Sequence, residues 1–526
     1  MYLLLAYFVT IIILWKYIRH DFLIRKIKTR IAKSIFNFVR NNSFVLNFIP
    51  FFGSKIKKDL LELECAKKDI KNSCLEKRDL EFTFREIPFE GKSKKFILAE
   101  MTKIKTNSLS ETYKISGAVY IDDAKHLELM KQVNNLTLYT NPLHDLWPQL
   151  KKQRAEIITM IKNKFGGITN PEVCGTITSG GTTSILAAVY AYRQFYNYSN
   201  PNLIMSCDAH PAYEKACNYF GIVPIIIQVD KESRKFDIQD IKRVITKNTI
   251  CIITSAPSYP FGIIDDIPAI SEFAHEFGCG CHVDACLGGG IIPWTNNIPV
   301  CDFTLKGITS ISIDTHKYFY APKGSSLILF KNKELRNYLT YVKMDWPGGF
   351  YVTPSFVGSS SGTNIAETWA SIMYIGDEGY RKISEKILKI RDELVTRIKE
   401  IPEIRILGNP QLSVIGIVSN MVNMHSIYDV LTKKGWYFNA LQNPTGIHFC
   451  ITSTQTKIDN FVDIFIEDMK SAVEIVKKNN TNSKTQKLYC STAEIPNFLF
   501  SALTEEIGEF HQFCDEQYTD MLDIKP

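Results

Sequence analysis

From Tyr2 to Trp15 the chain carries no charged residue; Lys16 breaks the apolar run, which resumes at Tyr17 and Ile18. A helix that crosses a bilayer needs about 20 apolar residues, with roughly 17 as the lower limit. The run meets that limit if Lys16 extends its ammonium to the interface. No basic residue precedes it and no small-residue cleavage site follows, which disfavours a secretory signal. The pattern predicts an uncleaved membrane anchor over residues 1–20. A buried N-terminal helix, or one lying on a membrane, is the alternative. From Phe22 to Phe52 the pattern is amphipathic and basic, then apolar and aromatic, and Asp59 to Arg78 is polar and helical. Residues 21–110 therefore read as a juxtamembrane and N-terminal helical segment.

Beyond residue 110 the periodicity alternates. Helical stretches at Leu150–Lys164 and Ile185–Phe195 alternate with β-rich runs at Leu203–Ser206, Val223–Val229 and Thr249–Ser255, and an apolar strand ends at Asp284. This alternation predicts an α/β domain, residues 111–360, with a doubly wound, mostly parallel sheet and its site at the carboxyl ends of the strands. Helices at Ile365–Ile375 and Arg381–Ile401 follow, then short strands at Ile404–Leu407, Ser413–Val418 and His448–Thr452. They predict a smaller C-terminal α+β domain over 361–480. Lys477 to Gln486 is a polar linker, and residues 481–526 form a tail whose Phe498–Leu503 stretch would fold over a cleft or a dimer.

Charge changes this picture in one respect. The formal net charge is +7, yet residues 1–60 hold eleven Lys and Arg against two acids, so the rest of the chain carries −2. The basic excess lies beside the apolar run and suits a membrane surface rather than a nucleic acid. By the positive-inside rule the body of the chain stays cytosolic. Thirteen cysteines are odd in number and scattered, mostly in apolar runs. They read as reduced core thiols. Cys279 and Cys281 are one close pair without a second, so no metal site is expected.

The candidate chemistry centres on Lys317, within Asp314-Thr315-His316-Lys317-Tyr318. A lysine that condenses with an aldehyde must be neutral, hence partly desolvated or near other cations; His316 and Lys323 are the available cations. Upstream, His282-Val283-Asp284-Ala285 ends a strand in a carboxylate, and Thr178-Ser179-Gly180-Gly181-Thr182 is a glycine-rich turn before a helix. Amide donors at a helix start favour an anion. A phosphate cradle, an acid for a pyridinium nitrogen and a Schiff-base lysine, in that order, are the layout expected for pyridoxal 5'-phosphate. On their own, His210 reads as a loop cap, Tyr120 as a half-buried aromatic, His144 as a helix-entry polar group and Tyr259 as a turn aromatic.

With Tyr320-Ala321-Pro322-Lys323-Gly324-Ser325-Ser326, the lysine motif resembles that of the sphingosine-1-phosphate lyases, in the decarboxylase-like branch of fold-type-I pyridoxal phosphate enzymes. Ser116-Gly117-Ala118-Val119-Tyr120, Asn141-Pro142-Leu143-His144, Gly262 to Asp266, Lys434-Gly435-Trp436 and Ile447 to Thr452 extend the resemblance. It implies a fold-type-I PLP-dependent transferase fold and a homodimer. The activity implied is cleavage of a phosphorylated long-chain base between C2 and C3 to a fatty aldehyde and phosphoethanolamine. The location implied is the endoplasmic reticulum membrane, with one anchor.

The resemblance also implies residue roles. Lys317 holds the cofactor, Asp284 the ring nitrogen, and His210 stacks on the ring. Gly181, Thr182 and His316 take the cofactor phosphate, as does Ser359, whose counterpart in the family reaches across to the partner subunit. Tyr120, His144 and Lys323 take the substrate's phosphate. The base at the C3 hydroxyl is Tyr259, the substrate phosphate or a tail residue. Two departures stand out. Thr183 replaces a common acid, and Ser360-Ser361 replace Arg-Pro in a Gly-Ser-Arg-Pro-Gly loop, removing a cation and a rigid turn. The rival readings are an amino-acid decarboxylase of the same fold and a catalytically silent membrane protein that binds sphingolipid phosphates.

Overall fold

The computed structural model describes residues 87–106 and 111–479, with two further positions at 483 and 485. The predicted anchor, the segment through residue 86 and nearly all of the tail lie outside the described residues. No helix among the described residues is long and apolar enough to cross a membrane. One helix, α1 (Lys94–Thr106), precedes the compact unit Thr112–Asn479.

Seven strands build the large sheet of that unit: β1 (Cys174–Thr178), β2 (Asn202–Ser206), β3 (Val223–Ile227), β4 (Thr249–Ser255), β5 (Gly280–Asp284), β6 (Ser310–Ile313) and β7 (Ser326–Phe330). Their order is β1-β7-β6-β5-β4-β2-β3. β7 runs antiparallel to both neighbours and every other pair is parallel. Every residue of β2, β4, β5, β6 and β7 is buried. A strand covered on both faces has no solvent-facing side: β7 is nearly all apolar, whereas β6 (Ser310–Ile313) buries its serines in hydrogen bonds with Tyr192, His282 and Asp284.

The covering helices include α2 (Ala124–Thr137), α3 (Pro148–Lys164), α4 (Gly181–Tyr196), α5 (Ala212–Phe220), α6 (Ile238–Val244) and α7 (Ile267–Phe277). Their boundaries have local causes. Asp266 caps α7 by accepting from the Ala269 amide, and Gly278 ends it at φ 83°, a conformation that costs glycine little. The short helix α8 (Lys333–Asn337) follows β7. The predicted glycine-rich loop at Trp346–Gly349 is the turn of a small hairpin, β8 (Tyr341–Lys343) and β9 (Tyr351–Thr353). The two helices expected at 365–375 and 381–401 are both present, as the two arms of α9 (Gly362–Arg397), separated at Gly376, whose φ of 65° and ψ of 169° are not helical.

A second, antiparallel sheet has the order β10-β11-β13-β12, from β10 (Arg405–Ile406), β11 (Val414–Val418), β12 (Asn439–Gln442) and β13 (Thr445–Cys450). Helices α10 (Met424–Lys433) and α11 (Phe461–Asn479) accompany it. Trp436 is fully buried among Phe438, Phe449, Phe461 and Phe465, with its indole N–H donating to Asp468 at 2.9 Å. Lys434-Gly435-Trp436 thus carries packing. The segment before α2 is fastened here: the Ser116 amide donates to Tyr437 at 2.8 Å and the Gly117 amide to Cys450 at 3.1 Å. That anchorage carries Tyr120 toward the end of the large sheet.

Candidate active site

The lysine turn leaves β6 and doubles back into β7. The Lys317 amide donates to the Asp314 carbonyl at 3.3 Å and the Tyr320 amide to the Lys317 carbonyl at 3.0 Å. Tyr320 at φ 60° and Gly324 at φ 103° turn the chain. Ser325 ties the turn down. Its carbonyl meets both the amide and Nδ1 of His316, and its hydroxyl receives hydrogen bonds from Thr315 at 2.6 Å and Thr368 at 2.9 Å. Tyr318 is fully buried and donates to the Ile451 carbonyl at 2.6 Å. With the backbone fixed this way, Lys317 Nζ lies 2.9 Å from Asp314 Oδ2.

That pair reverses one expectation. Burial, the largest influence, would lower the Lys317 ammonium, but the adjacent Asp314 carboxylate, acting with Cys286 and Asp284, holds the lysine above its ordinary value. Burial pushes the Asp314 carboxyl up, yet Lys317 and then His316 pull it below the ordinary range. The predicted depression falls on Lys323, lowered by burial and by the Lys317 charge. His316 is also lowered by burial, against the pull of Asp314.

Asp284 ends β5, and in β6 its register partner is Ser312. Asp284 Oδ1 accepts from the Cys286 amide at 3.1 Å and from the Ser312 hydroxyl at 3.3 Å. Behind them His282 meets Ser310 at 2.6 Å and Ser312 at 3.3 Å. Burial drives His282 down to about 4, against the opposing charge of Asp284. His210, in the turn after β2, accepts from the Ala212 amide through Nδ1 at 3.1 Å. Burial lowers it, while Asp284 raises it and Lys317 lowers it further, so the three lie near enough to feel one another's charge. Gly181 opens α4; a Cβ there would lie 2.7 Å from both Asp314 oxygens. Thr182 is exposed at the helix start, and Thr183 is held by the Ser179 hydroxyl at 3.0 Å.

A second cluster adjoins the first. Lys323 Nζ sits 4.8 Å from the centroid of the Tyr120 ring, and Tyr120 packs edge-on against Tyr318 at 5.0 Å. Tyr120 is buried rather than half-buried, and burial pushes its phenol well above the ordinary value. Tyr259 stacks on His448, centroids 4.3 Å apart and planes at 16°. His144 is exposed and accepts from the Leu146 amide at 3.3 Å. Ser359 is exposed on the loop before α9, and Ser360 and Ser361 line a pocket there with Arg154. No contact described within this chain joins His144 or Ser359 to the lysine cluster. Asp314 and His448 received no chemical role from the sequence; the first is visible only as the acid three residues before the lysine, and the second reads as an ordinary strand residue.

These side chains fit pyridoxal phosphate. A lysine, a strand-end acid with one oxygen spoken for, an imidazole and a glycine-started helix converge at the carboxyl edge of the sheet.

Comparison with known proteins points the same way. The aminotransferase class-V family model matches residues 125–440. A sphingosine-1-phosphate lyase of Dictyostelium discoideum is 34% identical over 515 residues, covering 95% of this chain and 92% of that protein. Sphingosine-1-phosphate lyase 1 of Rattus norvegicus is 37% identical over 481 residues, covering 89% and 82%. Among solved structures, a Burkholderia pseudomallei sphingosine-1-phosphate lyase superposes with a TM-score of 0.74 at 32% identity, covering 77% of this chain and 96% of that one. A Lactobacillus brevis glutamate decarboxylase superposes at 0.68 with 16% identity, covering 77% and 98%, a likeness of fold alone.

Proposed function

Because the chain belongs to the sphingosine-1-phosphate lyase family, we propose a division of labour among its residues. It is a carbon–carbon lyase that uses pyridoxal 5'-phosphate to cleave phosphorylated sphingoid long-chain bases between C2 and C3, giving a fatty aldehyde and phosphoethanolamine. When bound, the cofactor supplies the electron sink for that cleavage. Lys317 would hold it covalently, Asp284 would keep a proton on its ring nitrogen, and His210 would cover its ring. Gly181, Thr182 and His316 would take its phosphate, with Ser359 supplied by a second copy in a homodimer.

The observation that carries this reading is a pair of adjacent centres. One holds Lys317, Asp284 and His210; the other holds Lys323 over Tyr120. A phosphorylated substrate on a phosphorylated cofactor requires two anion sites, and charge-assisted donors suit both. Tyr120, His144 and Lys323 bind the substrate phosphate in this account, with Lys323 over the Tyr120 ring. Tyr259 stands as the base candidate at the C3 hydroxyl. With its Nζ free of the cofactor, Lys317 would hold the proton that C2 takes.

The basic, apolar N-terminus supports a single-pass anchor in the endoplasmic reticulum membrane with the catalytic body in the cytosol. Removing residues 1–52 from the protein tests the anchor: the enzyme is expected to leave the membrane pellet and still cleave a short-chain substrate in detergent. A folded truncation that stays in the pellet would overturn it.

The activity is tested with the full chain loaded with cofactor and given a phosphorylated long-chain base. Fatty aldehyde and phosphoethanolamine are expected in equal amounts. Carbon dioxide from an amino acid would favour the decarboxylase reading, and absence of both products the silent binder. Lys317→Ala should fold, show no lysine-linked cofactor absorbance and trap no cofactor on borohydride treatment.

A further inference from the structure

A buried carboxylate with an idle oxygen is costly to keep. Asp314 is 3% exposed, and its Oδ1 has no hydrogen-bond partner among the described residues. Its other oxygen, Oδ2, meets Lys317 Nζ at 2.9 Å and His316 Nε2 at 3.7 Å. The two chain positions are locked together by the Lys317 amide bond to the Asp314 carbonyl, so one backbone turn sets the side-chain pair. Gly181 presses against the carboxylate from the start of α4, where any Cβ would collide with it. A helix N-terminus favours an anion at such a place. The charged and titratable neighbours of the pair come from every side: Lys317, His316 and Lys323 from the turn, Asp284 and Cys286 at and after the end of β5, His210 after β2, Tyr120 from the segment before α2, and His448 and Cys450 from β13. Of these, Lys317 is the cation in contact.

We propose that Asp314 is the positioning residue for Lys317, holding its Nζ as an ammonium whenever the lysine is not bonded to the cofactor. Two situations meet that condition. One is the empty enzyme, where the ion pair fixes the place of the buried amine. The other is turnover, when the substrate amine has displaced the lysine and Nζ must keep its proton near C2. The second situation rests on the lyase reading above; the first rests only on the geometry of this turn. His316, at the longer distance, steadies the same carboxylate without replacing the lysine.

The experiment uses the full chain stripped of cofactor. Competitive acetylation across a pH series, followed by mass spectrometry of the Lys317 and Lys323 peptides, gives a titration midpoint for each amine. In the wild type the Lys317 midpoint is expected above that of Lys323. Asp314→Asn, which keeps the shape and removes the charge, should lower the Lys317 midpoint by about 1–3 pH units, the range for loss of an adjacent opposite charge. Asp314→Glu should keep most of the shift. A carboxylate with a purely structural role would leave the midpoint where it is, and that outcome overturns the proposal. If Asp314→Asn does not fold, the wild-type comparison decides by itself: a Lys317 midpoint at or below that of Lys323 sinks the idea. In cofactor-loaded protein, Asp314→Asn should lower kcat by about 10-fold or more with KM little changed. If wild type makes no aldehyde while the midpoints behave as stated, the lyase reading fails and the ion-pair role in the empty enzyme stands.

Discussion

Lys323 Nζ lies 4.8 Å from the centroid of the Tyr120 ring, joining a residue just past the lysine turn to one on the segment fastened to β13. Burial and the Lys317 charge both make the Lys323 ammonium less comfortable, so an incoming dianion would be welcome there. Charge-assisted hydrogen bonds are worth about 1.5–3 kcal/mol. Lys323→Ala is therefore expected to raise KM for a phosphorylated base by about 10- to 150-fold, with cofactor content unchanged. The unphosphorylated base should be indifferent to the substitution. Loss of cofactor with intact phosphate discrimination would assign Lys323 to the cofactor instead.

Asp284 is fixed by the Cys286 amide and the Ser312 hydroxyl, both on Oδ1. Those two donors survive an Asp284→Asn change in the backbone and in Ser312, so the variant is expected to fold and to retain cofactor. It loses the charge that would keep the ring nitrogen protonated. Removal of one key electrostatic partner costs about 100-fold or more in rate. Turnover within a few-fold of wild type would place the ring's partner elsewhere.

Two buried histidines predict how the fold responds to acid. His282 and His448 are both held at about 4, chiefly by burial. Unfolded, each titrates near 6.5. The unfolded chain therefore takes up protons first as the pH falls, and stability is full above about 6.5 and lost progressively toward 4. At pH 5 each histidine should remove about 2 kcal/mol. Denaturant unfolding at pH 7 and pH 5 measures the loss, and His448→Phe should shrink it by about that amount. An unchanged difference between the two pH values would mean that His448 is not buried neutral.

Most of the framework was legible in the sequence because it is written in local patterns. The fully buried strands β2 and β4 show as short apolar runs, Leu203–Met205 and Ile250–Ile253. The helix start at Gly181 and the strand end at Asp284 are short motifs with a direct physical meaning. The protonation state of Lys317 was not legible. A sequence shows that Lys323 and His316 are near in number, but only the turn shows that Lys323 faces Tyr120 while Asp314 faces the lysine. The stacking of Tyr259 on His448 was hidden for the same reason: β13 reaches the large sheet's edge through tertiary packing that has no local signal. The small strands β8 and β9 were missed because three-residue exposed strands carry no usable period.

The contact between Gly181 and Asp314 gives the last prediction. A Cβ at Gly181 would lie 2.7 Å from each carboxylate oxygen and 3.0 Å from Cγ. The carboxylate cannot easily retreat, since it is buried and Oδ2 is engaged by Lys317 at 2.9 Å. Two effects oppose each other in Gly181→Ala. Alanine favours helix over glycine by about 1 kcal/mol in an interior position, and by less at the first residue of α4. Overpacking a filled site costs about 1–3 kcal/mol. The clash should win, giving net destabilisation of about 1–2 kcal/mol and weaker cofactor retention on gel filtration. The assignment of cause is checked by a double-mutant cycle. In an Asp314→Ala background the obstacle is gone, so the same Gly181→Ala change should become neutral or mildly stabilising, a coupling of at least about 1 kcal/mol. Additive effects in that cycle would show that Gly181 is required for some reason other than the carboxylate beneath it.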